Sequence, residues 1–555
     1  MSHTNDTTEI DSDETEIYEY DQNLESYHES DDDWYPENQD DGWFGKNKTT
    51  FWKKYLPDSV SFRKNPHNIL REKQGLKGPA LNAVSPNDYW SLFVTNEMLN
   101  LLVSNTNEFI DTINIRHTFK ETNALEMKAF LGLLLLTGIY RSNRLNLNDL
   151  WINDGTGVEI FHLTMSQRRF RFLLAVLRFD SKITRNERKK IDKIAPIREL
   201  FEIFVTNCAI NYSPSMSLTI DEMLVAFRGR CSFKQYIPSK PAKYGIKIHA
   251  LADAENAYVC NMEIYAGRQP TGPYMVDNSA KAVVTRLIRN ISGSGRNITF
   301  DNWYTSYPLV KSLMDEYRLS AVGTLRKNKR EIPPEFLTIR NRATYDSMFG
   351  FSNKITLVSY IPKSKNRKNV LLLSTMHYDK SINPESGEKK IPEIISFYNE
   401  NKVGVDLADQ MAASYNVSRN SKRWPLTIFF HLLNIANINS FVLYSQKSSN
   451  LMRRRIFIKN VALSLIEPIL IQRMNSSYIE RQIKDDIRKI LPNRDAQRNI
   501  YSESKSSYGR ARCYICPRNL DMKHAIKCQE CKKTICVNHC RGATFCVKCL
   551  DNDSA

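Results

Sequence analysis

Residues 217–253 read SLTIDEMLVAFRGRCSFKQYIPSKPAKYGIKIHALAD. Leu218, Thr219 and Ile220 predict a short buried strand that delivers Asp221 at its end. Two β-rich apolar runs follow, 244–251 and 258–266, separated by the turn-forming residues Asp253, Glu255 and Asn256. Between strand and hairpin lies a basic, aromatic insert carrying Arg228, Arg230, Lys234, Tyr236, Lys240 and Lys243. A strand-end carboxylate beside a run of cations suits a metal-dependent site that handles phosphates. Alone it decides little, because such an Asp is commonly a turn residue or a helix cap.

Two later segments repeat the arrangement. In RNITFDNWYTSYP, residues 296–308, Ile298 and Phe300 continue a buried strand and Asp301 stands where strand gives way to turn. A helix over 308–317 and a strand over 319–325 are predicted next. Arg326, Lys327, Lys329 and Arg330 then place four cations in five residues at a strand end, a solvated loop or a phosphate contact. In KVGVDLADQMAASY, residues 402–415, the Ala-rich composition predicts a helix. Asp406 and Asp409 are three apart and project from one helical face, although acidic residues in a first turn also compensate the helix dipole. Two-metal phosphoryl transfer needs hard oxygen ligands converging on two divalent ions. A first-strand Asp, an antiparallel meander, a helix, a fourth-strand Asp and a later helix bearing a third is the order of the ribonuclease-H-like fold. Spacings of 80 residues from Asp221 to Asp301 and 105 from Asp301 to Asp406 leave room for an inserted subdomain.

The 555-residue chain has room for several domains. Its net charge of +17 is unevenly spread. Residues 1–45 hold sixteen Asp and Glu and no Lys or Arg, so the rest carries 78 basic against 45 acidic residues. A body that basic, interleaved with Trp and Tyr, points to a polyanion such as nucleic acid. No secretory signal pattern is visible. The apolar window 129–140 is too short to span a bilayer, and 424–444 carries His431, Asn434, Asn437 and Asn439, which predicts a buried helix and no membrane.

Several stretches together resemble the piggyBac transposase family: LTIDEMLVAFRGR (218–230), KPAKYGIKI (240–248), NITFDNWYTS (297–306), VGTLRKNKREIP (322–333), YNENKVGVDLADQM (398–411) and SRNSKRWPLTIFFHLLNIANINSF (418–441). The likeness runs from about residue 86 to the C-terminus. It implies a DD(D/E)-type transposase that cuts at terminal inverted repeats and joins the 3′-hydroxyl ends to TTAA targets, through hairpin intermediates, in the nucleus. It also implies Mg²⁺ (or Mn²⁺) as cofactor, double-stranded DNA as partner and a homodimer. Carried over by position, Asp221, Asp301 and Asp406 match the catalytic, metal-binding triad and Asp409 the additional acidic position. Candidate DNA contacts are Arg228, Arg230, Lys240, Lys243, Arg326, Lys327, Lys329, Arg330, Lys422, Arg423 and Trp424. Trp424, flanked by cations, either opens a buried helix or stacks on a displaced base.

Eight of the eleven cysteines lie between Cys513 and Cys549, which without a secretion signal points to metal before disulfides. C-x2-C turns present two thiolates to one tetrahedral zinc. The spacing predicts a two-zinc cross-brace: Cys513, Cys516, Cys536 and His539 on one ion, and Cys528, Cys531, Cys546 and Cys549 on the other. Cys540 is spare or replaces His539. Cross-braces also occur in ubiquitin ligases and histone readers, so the module does not name a function, and a ligase or reader would leave the aspartates unexplained.

The predicted fold class is α+β and multidomain: a ribonuclease-H-like catalytic core with a mixed sheet and helices, a β-rich insertion, a helical DNA-binding/dimerisation domain and a small cross-brace zinc module. Residues 1–85 form a disordered acidic tail and basic linker, and 86–215 the helical domain. Residues 216–325 form the first part of the core, 326–400 the β-rich insertion and 401–424 the last part of the core. Residues 425–491 are helical and rejoin the helical domain, 492–512 are linker, and 513–549 carry zinc. The competing reading is a domesticated nuclear protein that binds DNA or performs programmed excision.

Overall fold

The computed structural model describes residues 41–56, 70, 72–113, 120–363, 368–448 and 452–491, and most of 511–546 apart from 518, 521, 522, 525 and 542–544. The chain divides into two compact units, one up to Gln472 and one from Arg473.

An eleven-stranded sheet organises the first unit. In chain order its strands are β1 (Gly42–Phe44), β2 (Phe51–Lys53), β3 (Ser217–Ala226), β4 (Lys234–Tyr236), β5 (Tyr244–Asp253), β6 (Val259–Ile264), β7 (Asn297–Phe300), β8 (Ser320–Thr324), β9 (Ser347–Ser352), β10 (Ile355–Tyr360) and β11 (Val370–Ser374). Across the sheet they run β1-β2-β9-β10-β11-β8-β7-β3-β5-β4, with β6 also on β5. β3 pairs antiparallel with β5, which pairs antiparallel with β6, while β3, β7 and β8 lie parallel to one another. That is the ribonuclease-H-like order. The parallel strands are buried on both faces, and all four residues of β7 are buried, as parallel pairing requires.

Two expectations need correction. β3 does not end at Asp221 but runs on to Ala226, because Val225 and Ala226 keep pairing with Ile246 and Gly245 of β5. The β-rich insertion joins the main sheet: β11 pairs with β8, so β9, β10 and β11 widen it. Part of the supposed tail and linker is ordered. Residues 42–53 form the β1–β2 hairpin, and Gly75–Leu76 pairs with Tyr212–Ser213. Residues 1–40 and 364–367 lie outside the described residues.

Helices before the sheet begin at the polar residues that predict them. The side chains of Thr95, Asn123 and Ser166 accept backbone N–H bonds from Met98, Glu126 and Arg169, so orphan donors of each first turn are satisfied. They open α1 (Asn96–Thr112), α2 (Ala124–Ile139) and α3 (Gln167–Val176). α4 (Arg198–Asn211) leads into β3, α5 (Ala280–Leu287) and α6 (Tyr307–Asp315) flank β7, and α7 (Glu393–Asn401) and α8 (Gly404–Ser414) follow β11. α9 (Trp424–Lys447) is, among the described residues, the one helix long and apolar enough to cross a membrane. It is a core helix: 94% of its apolar window is buried. Its amides are used inside the protein, since Asn439 donates to the Val259 carbonyl at 2.9 Å and accepts from the Val259 N–H at 2.9 Å. Asn434 accepts from Val417 N–H at 3.1 Å.

Candidate functional site

The register of β3 and β7 builds the site. Ile220 stands opposite Phe300, so Asp221 and Asp301 are the next neighbours, one strand spacing (~4.8 Å) apart. β7 stops there and β3 continues. Asp301 accepts the Trp303 N–H at 2.9 Å through Oδ1, and its carbonyl takes the Thr305 hydroxyl at 2.7 Å, which turns the chain sharply after the strand.

Asp221 shares its face of β3 with Thr219, two residues away. Thr219 donates to the Asn401 carbonyl at 2.5 Å, fixing the junction between α7 and α8 on that face. Gly404 allows the close seat, since a Cβ there would lie 2.9 Å from Thr219 Oγ1. α8 buries Gly404, Val405, Ala408 and Ala412 and presents Asp406 and Asp409 at its rim. Asp406, in the first turn, is mostly exposed, and Asp409 is half-buried.

Two groups report the convergence. Lys240 turns inward: its ammonium donates to the Glu222 carbonyl at 2.9 Å and lies 3.4 Å from Asp406 Oδ1. Burial alone would lower its pKa, but the Asp221, Asp406, Glu222 and Asp409 carboxylates lift it above the ordinary value. The Tyr398 phenol is held above its ordinary pKa by burial, with Asp301, Asp221 and Asp406 adding to it against a hydrogen bond to Thr324. The carboxylates themselves are short of positive charge. Burial, then Glu222, pushes Asp221 up to about 8. Burial, opposed by Lys240 and reinforced by Asp406 and Glu222, pushes Asp409 up to about 6. Burial raises Asp301 as well. A cluster in this state fits divalent cations, which favour the ionised carboxylates that burial disfavours.

The candidate DNA contacts divide. Arg228, Arg230, Lys243, Arg326, Lys327, Arg330 and Lys422 are exposed and Lys329 half-buried. Arg326 Nε also bonds Asn302 Oδ1 at 3.2 Å, next to Asp301. Lys240 belongs to the carboxylate cluster and not to the outer surface. Trp424 is half-buried, edge-on to Phe233 at 5.1 Å between centroids. Arg423 is a structural clamp: Nη1 donates to the Leu174 and Ala175 carbonyls at 3.3 and 2.9 Å, and Nη2 to the Leu177 carbonyl. It satisfies the C-terminal end of α3, where orphan carbonyls accumulate. Arg423→Ala is therefore expected to destabilise the protein by about 2–4 kcal/mol, read from the denaturant midpoint, with the salt dependence of DNA binding unchanged. A phosphate-contact role predicts the reverse pattern.

Sequence reasoning missed Lys247 and Glu222. Lys247 sits 4.6 Å above the Trp303 ring; burial lowers its pKa against the pull of Glu222, Asp301 and Asp221. The available signal was its position in β5, directly across from the strand that carries Asp221.

In the second unit, Cys513, Cys516, Cys536 and His539 place one ligand atom each within 4.8 Å of all the others. His539 Nδ1 lies 3.6, 3.4 and 3.2 Å from the Cys513, Cys516 and Cys536 sulfurs. The group contains His539 and not Cys540, whose backbone instead pairs with Cys546. Of the other predicted set, Cys528 is buried and Cys531 half-buried, while Cys549 and the Cys546 side chain lie outside what is described. Three thiolates and an imidazole are a donor set for zinc.

Residues 85–441 match a family model described as Transposase IS4. A solved cryo-EM structure of a piggyBac transposase synaptic complex with hairpin DNA is 36% identical in sequence, covers 86% of this chain and all of its own, and superposes with a TM-score of 0.72. The chain belongs to the piggyBac transposase family. Two human relatives are more distant. PiggyBac transposable element-derived protein 3 is 25% identical over 63% of this chain and 60% of its own length. PiggyBac transposable element-derived protein 5 is 22% identical over 71% of this chain and 78% of its own. The chain thus spans less than two-thirds of the first of these. The family match covers every element that carries the aspartates.

Proposed function

We propose that the chain is an active DNA transposase that cuts at terminal inverted repeats and joins the freed 3′-hydroxyl ends to TTAA target sites, by way of hairpin ends. The gathering of Asp221, Asp406 and Asp409 about Lys240, with Asp301 following the strand that pairs with β3, carries this reading. Asp221, Asp301 and Asp406 would hold Mg²⁺ or Mn²⁺, with Asp409 beside them. When bound, two such ions supply activation of the attacking oxygen and neutralisation of the leaving one.

The remaining work falls to the chain. Lys240 offsets part of the carboxylate repulsion. Tyr398 stays protonated among the aspartates, so it is a proton donor there and no nucleophile. The exposed cations from Arg228 to Lys243 and from Arg326 to Arg330 bind phosphates on either side of the carboxylates. The Cys513–His539 group holds zinc in a module that reads the element ends. The protein works in the nucleus as a homodimer, since two ends must be joined. Incubation of the full chain with a duplex bearing its terminal repeat, with Mg²⁺ or chelator, followed on denaturing gels, should yield nicked and hairpin products only with metal. Specific binding without any metal-dependent cleavage would favour the domesticated DNA-binding reading.

A further inference from the structure

The β1–β2 hairpin is poorly attached to the sheet. One residue pair, Lys53 with Phe351, joins it to β9. Its hold lies elsewhere, on the segment that follows β8. Asn47 N–H donates to the Arg330 carbonyl at 2.8 Å and Lys46 N–H to the Ile332 carbonyl at 3.3 Å. Lys46 Nζ takes the Lys327 carbonyl at 3.1 Å, and Trp52 Nε1 the Glu331 carbonyl at 2.8 Å. Four carbonyls between 327 and 332 are thus fixed by one hairpin. Trp52 is 1% exposed, edge-on to Tyr307 at 5.6 Å, and Trp43 meets Phe336 at 5.2 Å. The hairpin lies so close that a Cβ on Gly45 would fall 2.7 Å from the Glu331 carbonyl oxygen.

The clamped segment is the one with four cations in five residues, and its first member, Arg326, bonds Asn302 beside Asp301. Long cationic side chains on an untethered loop would spread over many directions and lose entropy on meeting a phosphate. Fixing the carbonyls fixes the Cα positions from which the side chains fan out. We infer that residues 42–53 are a positioning element that holds the 326–330 cations in place for the DNA backbone. This rests on the proposed DNA-binding function of those cations.

Gly45→Ala is the direct test, because it changes no charge and wedges the hairpin against Glu331. In the full-length protein it should lower affinity for a mixed-sequence duplex about tenfold and flatten the log K against log salt slope by ~1–2, the loss of one or two phosphate contacts. Trypsin should cleave within 326–330 severalfold faster, with the melting temperature of the body unchanged. Combined with Arg326→Ala, Lys327→Ala, Lys329→Ala and Arg330→Ala together, Gly45→Ala should add no further loss, as expected of residues acting through one loop. Trp52→Phe, which puts a smaller ring without an N–H donor in the same place, should give a smaller loss in the same direction, and it carries the test if Gly45→Ala misfolds. Additive losses, or unchanged trypsin cleavage, would overturn the inference. If the fourfold alanine variant alone keeps the wild-type salt slope, the DNA-contact reading of the loop fails instead.

Discussion

Asp221→Asn and Asp301→Asn should each reduce metal-dependent strand cleavage by at least about a thousandfold, roughly 4 kcal/mol of barrier, with duplex binding nearly intact. Both side chains hang from adjacent parallel strands at the same level, so neither replaces the other. The same variants should make the metal-free protein more stable above neutral pH. Asp221 is pushed up to about 8 and Asp409 up to about 6 in the folded state, both above the unfolded carboxylate near ~3.9. The native state then holds more protons than the unfolded one, so stability falls as pH rises from about 4 through these values. Asp221→Asn removes the largest part of that slope. Melting scans at pH 5 and pH 8 should show a midpoint raised strongly at pH 8 in the variant and much less at pH 5. Mg²⁺ should raise the wild-type midpoint at pH 8 and have a weaker effect on the variant. A wild-type midpoint that ignores both pH and Mg²⁺ would remove the carboxylates from the metal site.

Removing zinc from the C-terminal unit should abolish end recognition and spare the body. Apart from its cysteines, that small core consists of Ile535 with Ile515 and Ile526 packed against it, each worth about 1.5–3 kcal/mol when fully buried. Ordering the module costs about 1–2 kcal/mol per residue in backbone entropy. Zinc binding, about 10–16 kcal/mol in zinc-finger peptides, is large enough to reverse that balance. Chelation, or Cys513→Ser, should therefore unfold this unit. It should erase discrimination between terminal-repeat and random duplex while leaving random-duplex affinity and its steep salt slope in place. Titrations on both duplexes at two salt concentrations would read this. Undiminished preference for the ends after chelation would assign end recognition to the first unit.

Much of this site was visible in the residues themselves. Asp301 could be placed because Ile298 and Phe300 mark a short buried strand and the chain turns at once after it. The convergence with Asp406 followed from an Ala-rich helix that had to pack on a sheet. Asp221 was misjudged as a strand end, since the mixed run Asp221–Glu222–Met223 carries no period, and only pairing with β5 keeps it extended. The inward turn of Lys240 and the carbonyl clamp of Arg423 depend on partners 166 and 246–249 residues away. No local pattern encodes such contacts. The β1–β2 hairpin was lost among lysines and acids because its burial rests on one side chain, Trp52.

The wide separation of the aspartates also governs when the site comes together. β3 cannot take its parallel neighbour until residue 300 has been made, and the helix with Asp406 and Asp409 arrives more than a hundred residues later. Pairings of such long range form slowly. On the ribosome, a growing chain therefore carries the exposed cations of 228–243 well before it carries the full set of aspartates. A product terminated before α8 also lacks the buried helix α9, so premature stops in this coding sequence should leave chains that neither cut DNA nor fold stably.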